Sequence, residues 1–187
     1  MSDQKYFKYQ FSERKDQENF FVNQTNKLAY DTTINPNFDQ NIFLFGPNKS
    51  GKSHLLNIWL NANNGIIFDN NFDEIIETKR NIAIDNILEK KSEELTFHII
   101  NHCKNLNLKI YVTSSIDLSN FNYFLPDLFS RLRTFYYAEI NQPDDEMCKI
   151  IMTKLFYEKQ IIIKNKEIFD FIFKRIERSY NEIYLLV

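Results

Sequence analysis

Apolar and polar positions fall into two regimes along the chain. Between about 41 and 140, short runs that are apolar at consecutive positions alternate with amphipathic stretches. The runs are Ile42-Phe43-Leu44-Phe45, Ile66-Ile67-Phe68, Ile82-Ala83-Ile84-Asp85, Lys109-Ile110-Tyr111-Val112-Thr113 and residues 134–140. Continuous rather than alternating apolar character predicts strands buried on both faces. Helical spacing is expected over about 52–62 and about 92–105, the second helix placing Leu95, Ile99, His102 and Leu106 on one face. Strands separated by helices predict a parallel sheet covered on both sides, an α/β fold. After Pro143 only helical periodicity continues, over about 143–159, 165–176 and from Ser179 onward. Asp144, Asp145 and Glu146 supply the acidic first turn that the positive end of a helix dipole favours. The expected organisation is a flexible N-terminal arm over 1–18, an α/β core over 19–142 and a short helical lid over 143–187. The lid is still apolar at Val187, as if cut short.

Composition narrows the classes. Over 187 residues, 43% hydrophobic and 16% aromatic content is too high for a disordered chain. No apolar run approaches a membrane span, and the first twenty residues, which include Lys5, Lys8, Arg14 and Lys15, contain no apolar signal core. A cytoplasmic protein without membrane association is expected. Cys103 and Cys148 show no pairing pattern, fit a reducing compartment and are read as structural. A net charge of -2 lacks the basic footprint of phosphate-backbone binding, so direct DNA binding is not expected. Glycine is scarce, three residues against about thirteen at average usage. Gly65 is expected in an ordinary turn, which leaves Gly46 and Gly51, five apart, as the pair that asks for an explanation.

They frame Gly46-Pro47-Asn48-Lys49-Ser50-Gly51-Lys52-Ser53, two glycines around four residues, then Lys and Ser, between a buried strand and an amphipathic helix. In that context backbone N–H groups and the helix N-terminus converge on phosphates, the lysine reaches the terminal phosphates and the serine hydroxyl serves Mg²⁺. Asp85, closing its apolar run, puts a carboxylate at a neighbouring strand edge, where Mg²⁺ is held together with Ser53. The next residue is Asn86, whose amide orients water but takes no proton, so slow intrinsic turnover is expected. His98 and His102 share a helix face without an intervening Glu and are read as structural. Lys90 and Lys91 are read as a solvated loop.

Gln17-Glu18-Asn19-Phe20-Phe21-Val22 with Asn26, and Phe43-Leu44-Phe45-Gly46-Pro47 running into Gly51-Lys52-Ser53-His54-Leu55-Leu56, resemble the AAA+ nucleotide-binding module of the bacterial replication initiator DnaA. Ile84-Asp85-Asn86-Ile87 and Leu125-Pro126-Asp127-Leu128-Phe129-Ser130-Arg131-Leu132 resemble its regulatory relative Hda more closely, and the likeness covers roughly residues 17 to 187. The resemblance implies a P-loop AAA+ fold that binds ADP or ATP with Mg²⁺. It implies that Phe20, Phe21, Val22 and Asn26 wrap the adenine, that His54 belongs to the nucleotide site, and that Thr113 and Ser114 form the polar sensor of the terminal phosphate. Arg131 corresponds to an arginine finger acting on a neighbouring subunit's nucleotide, a role suited to a planar, permanently charged guanidinium. Two positions depart from the family pattern: Ser115 stands where an acid is usual, and Asn181 where the lid's sensor arginine belongs, with Arg178 one turn earlier as the candidate replacement. In the arm, Gln10-Phe11-Ser12 occupies the place of a peptide that docks on the replication sliding clamp, although Glu13, Arg14 and Lys15 replace its apolar continuation.

The implied function is regulation of replication initiation, with DnaA and the sliding clamp as partners and homo-oligomers left open. Three alternatives remain open. One is a DnaA-like initiator or helicase-loader ATPase acting on DNA, another a small-molecule P-loop kinase with Arg175 and Arg178 as its only lid arginines, and the third a degenerate remnant.

Overall fold

The computed structural model describes residues 17–68, 72–87, 92–121, 125–161 and 167–187. Gln10, Phe11 and Ser12 of the arm, and Lys90 and Lys91, lie outside the described residues. Five strands form one sheet: β1 Ile42–Phe45, β2 Gly65–Ile67, β3 Asn81–Ile84, β4 Ile110–Ser114 and β5 Tyr136–Glu139, all parallel and ordered β2-β3-β4-β1-β5. The interior strand β1, between β4 and β5, ends level with both neighbours, Phe45 pairing Ser114 on one side and Glu139 on the other. The segment after β1 therefore leaves the sheet at its carboxyl edge between two other strand ends, the usual place for a ligand crevice in such sheets.

Pleating sorts the apolar runs onto two faces. Phe43, Ile82, Ile84, Ile110 and Val112 meet α4 (Glu93–Leu106) and α5 (Pro126–Leu132) on one side. Ile42, Leu44, Ala83, Tyr111 and Ala138 meet α1 (Lys27–Ile34) and α2 (Lys52–Ala62) on the other. A further short helix of the core among the described residues is α3, Phe72–Glu77. Residue-by-residue alternation of faces, with both covered, is why consecutive positions in these strands are all apolar. A third, smaller cluster of Cys148, Met152, Phe173 and Ile183 joins α6 (Asp145–Glu158), α7 (Glu167–Phe173) and α8 (Tyr180–Leu186) into the helical unit after residue 143. No helix among the described residues is long and apolar enough to cross a membrane.

Several expectations are corrected. Helices α1, α3 and α5 did not emerge from periodicity. The buried stripe of α4 runs through Thr96, Ile99, Ile100 and Cys103, an i, i+3, i+4, i+7 set, while Leu106 ends 41% exposed at the open end of the helix. Gly65 is no turn glycine: it opens β2, where the chain returns closely onto the end of α2 and a Cβ would lie 2.7 Å from Leu60 Cδ2 and 3.3 Å from Leu60 Cα, so a side chain there would push Leu60 aside.

Tyr111 sits wholly inside the α1–α2 face. Its hydroxyl lies 2.8 Å from Thr33 Oγ1, which donates in turn to the Ala29 carbonyl at 2.7 Å, and burial pushes the phenol pKa well up. The pair explains how Thr33 comes to face the core of an otherwise weakly amphipathic α1. Tyr111→Phe keeps the ring and removes one buried hydrogen bond, so urea unfolding is expected to show a loss of about 1 kcal/mol. A gain in stability would mean that the hydroxyl is only tolerated there.

Candidate functional site

Phe45 hands the chain from β1 into the loop 46–51, which enters α2 at Lys52. Gly51 caps α2 with φ +96°, a left-handed conformation, and a Cβ there would meet the Phe20 ring at 2.9 Å. Both facts select glycine. Lys49 also holds a positive φ of 64°, a costly conformation for a side-chain-bearing residue and one that recurs at ligand clamps. The loop is tied to the sheet by the Gly46 N–H, which donates to the Ser114 carbonyl at 3.2 Å. Lys52 is 6% exposed, and its ammonium donates at 2.7 Å to both the Gly46 and Pro47 carbonyls. A buried cation is thus poised at the loop's mouth, above the N-terminus of an eleven-residue helix.

Beside the loop, Ser53 Oγ donates to Asp85 Oδ2 at 2.8 Å. Asp85 follows β3 directly, and its other oxygen accepts from Thr113 Oγ1 of β4. Thr113 Oγ1 also accepts the Asn86 N–H at 3.0 Å, with Asn86 at φ 51°. One carboxylate and two hydroxyls, drawn from α2, β3 and β4, therefore converge at the strand ends. This donor set fits a hard divalent cation, which takes oxygen ligands.

The resemblance-derived sensor divides in two. Ser114 is fully buried, and its Oγ is spent in its own turn, donating to the Ile116 carbonyl at 2.7 Å and accepting the Ile116 N–H at 3.0 Å. Ser115, not expected at the site, is the hydroxyl that reaches the loop, donating to Asn48 Oδ1 at 2.5 Å. A cleft of about 530 Å³ opens here, lined by Phe45, Pro47, Ser115, Glu139 and Asn141 among others. Ser50 Oγ, buried in the loop, has no hydrogen-bond partner among the described residues. Buried hydroxyl, buried ammonium and a left-handed glycine make the loop a fit for a polyphosphate.

The chain before α1 packs beside the start of α2. The Phe20 ring stacks parallel to Tyr30 at 5.7 Å and meets His54 edge-on at 5.2 Å. Phe21 is 39% exposed and Val22 half-buried. Asn26 is buried and shapes this segment: its Nδ2 donates to the Phe21 carbonyl at 2.8 Å and its Oδ1 accepts the Asn23 N–H at 2.9 Å.

The remaining candidates lie apart from the loop's hydrogen bonds. Arg178 pairs with Asp145 at 2.5 Å, both exposed, which lowers the Asp145 pKa. The lid contact made by the loop comes instead from Lys49, whose ammonium lies 5.1 Å from the Tyr184 ring centre. Arg131, in the last turn of α5, places its guanidinium 5.0 Å from the ring centre of Phe97. Cys103 and Cys148 are buried, and burial pushes their thiols to about 12 and about 11, so both stay protonated at neutral pH. His102 Nε2 is buried without a partner, and no cluster of three or more His, Cys, Asp or Glu is placed for a metal among the described residues.

Neither a protein-family model nor a curated protein matches this chain. Solved structures do. The replication initiator DnaA bound to AMPPCP and single-stranded DNA is 19% identical with a TM-score of 0.73, over 92% of this chain and 63% of that one. AMPPCP-bound DnaA from Aquifex aeolicus is 19% identical with a TM-score of 0.70, over 94% of this chain and 64% of that one. Domain III of the Thermotoga maritima DnaA is 20% identical with a TM-score of 0.69, over 92% of this chain and 85% of that domain. This chain spans less than two thirds of the first two structures. The fold is that of AAA+ P-loop NTPase domains such as DnaA's.

Proposed function

We propose that this chain binds an adenine nucleotide and acts, as Hda does, by stimulating hydrolysis of ATP held by DnaA. The observation that carries the first half is the Ser53–Asp85–Thr113 cluster beside the loop 46–53. The nucleotide's phosphates belong at Lys52 and the loop amides, and Mg²⁺ at Ser53 and Asp85, where it neutralises phosphate charge when bound. The chain's own residues do the rest. Lys52 exchanges its carbonyl partners for phosphate oxygens, Thr113 holds the Asp85 carboxylate in orientation, and Ser115 fixes Asn48 at the loop's flank.

The second half rests on the residue next to Asp85. Asn86 cannot take a proton from water, so the site is suited to holding a nucleotide rather than turning it over. An adaptor needs its own nucleotide only to set its shape. The reacting nucleotide then sits in the partner, with Arg131 as the presented cation and Gln10-Phe11 as the candidate clamp contact.

ATP-loaded DnaA, mixed with this chain, sliding clamp on DNA and ADP, is expected to convert to its ADP form faster than with any component omitted. No acceleration in any combination removes the regulatory reading. If salt-resistant DNA retention accompanies that result, the chain is a DNA-acting ATPase instead.

A further inference from the structure

Residues 20–26, whose Phe20 packs against Gly51 and His54 beside the phosphate loop, are tied to the helical unit through Asp144. Asn23 Nδ2 donates to both oxygens of Asp144, at 2.9 and 3.0 Å, across 121 positions of sequence. Its Oδ1 meanwhile accepts from Thr25 N at 2.9 Å and Thr25 Oγ1 at 2.6 Å, so the two ends of one side chain fix the local turn and reach the lid together. Asp144 takes a further bond from Gln24 Nε2 at 3.1 Å and caps α6 by accepting the Met147 N–H at 2.8 Å. The path runs on: Asn141 N–H donates to the Thr25 carbonyl at 2.9 Å, and the Tyr180 hydroxyl of α8 donates to the Asn141 carbonyl at 3.3 Å. The hydrogen bonds that hold the phosphate loop run elsewhere, to β4 through Gly46, to Ser115 through Asn48 and within the loop through Lys52.

We propose that Asn23 and Asp144 are a positioning pair that sets the base-enclosing segment against the lid, so that affinity for the base depends on this pair while affinity for the phosphates does not. The inference rests on reading the cleft as an adenine-nucleotide site. Neither residue touches the nucleotide; each acts through the segment 20–26.

The donor and acceptor can be exchanged, which makes the test specific. Asn23→Asp keeps an acceptor for Thr25 but faces Asp144 with a second carboxylate, and ADP binding is expected to weaken about tenfold while pyrophosphate binding is unchanged. Adding Asp144→Asn restores an amide-to-carboxylate bond in the reverse sense and keeps an α6 cap, so ADP affinity should return to within about twofold of wild type. Asp144→Ser keeps a capping hydroxyl but is too short to reach Asn23, and should reproduce the selective loss without an added charge. Calorimetry with ADP and with pyrophosphate reads all four proteins. Equal losses for both ligands, no loss, or no recovery in the exchanged pair overturns the proposal. Wild-type protein that binds neither ligand overturns the nucleotide reading itself, which is a separate result.

Discussion

Arg131→Ala is expected to leave ADP binding and folding intact and to lower stimulation of DnaA-bound ATP hydrolysis by a factor on the order of a thousand, the low end of what an arginine supplied in trans contributes to phosphoryl transfer. The geometry separates the two effects. Arg131 lies in the last turn of α5, half-buried, with its guanidinium against the Phe97 face and, among the described residues, in no ion pair with an acid. That stack is worth about 0.5–1 kcal/mol, so its loss leaves the domain folded. A planar cation resting on a ring can swing away at low cost, and a partner's developing phosphate charge is a stronger attractor than a π face. Arg131→Lys keeps the charge but not the two-pronged contact, and partial recovery is expected. The measurement is single-turnover phosphate release from ATP-loaded DnaA. Wild-type rates with the alanine variant would place the stimulating group elsewhere on the chain.

The sheet and its two coverings were legible because buried parallel strands leave unbroken apolar runs, and all five runs became strands. The missed helices share physical reasons. α1 carries β-branched Thr32, Thr33 and Ile34 and begins at Asn26 without a side-chain cap, so neither propensity nor a start signal marks it. Its buried face is partly threonine, which looks polar in sequence and is accommodated by Tyr111. α5 spans seven residues, too short to show a period.

The site divides along the same line. Lys52, Ser53 and Asp85 were recognisable because the loop is contiguous and an acid at a strand end has one placement. Ser115 reaches Asn48 across 67 positions and Asn23 reaches Asp144 across 121, and nothing local announces either contact. Asp144 carried a visible signal for a different role, that of an acid at a helix start, and that role is also real. Arg178 pairs with Asp145, and Lys49 of the loop makes the contact to α8, another pairing that no local signal announces.

Lys52→Ala should be the most damaging change to the chain's own site. The ammonium is 6% exposed and already desolvated at the loop, so phosphate oxygens would replace two carbonyls without a further cost of burying the charge. A charge-assisted contact of that kind is worth far more than an exposed one, and ADP affinity is expected to fall about a hundredfold. Linkage turns this into a thermal readout. At about 100 times the wild-type Kd, ligand stabilises the native protein by about 2.7 kcal/mol, and a hundredfold weaker variant keeps about 0.4 kcal/mol of that. For a domain of this size the ADP-induced rise in Tm should fall from roughly 5–11 °C to roughly 1–2 °C. Lys49→Ala is the contrast, because Lys49 is exposed and its ammonium stands over Tyr184. It should lose only several-fold in affinity, since a solvated cation contributes less than a buried one. If both variants lost the ligand-induced shift equally, burial would not be what distinguishes the two lysines; if Lys52→Ala kept the wild-type shift, the loop 46–53 would not be the phosphate site.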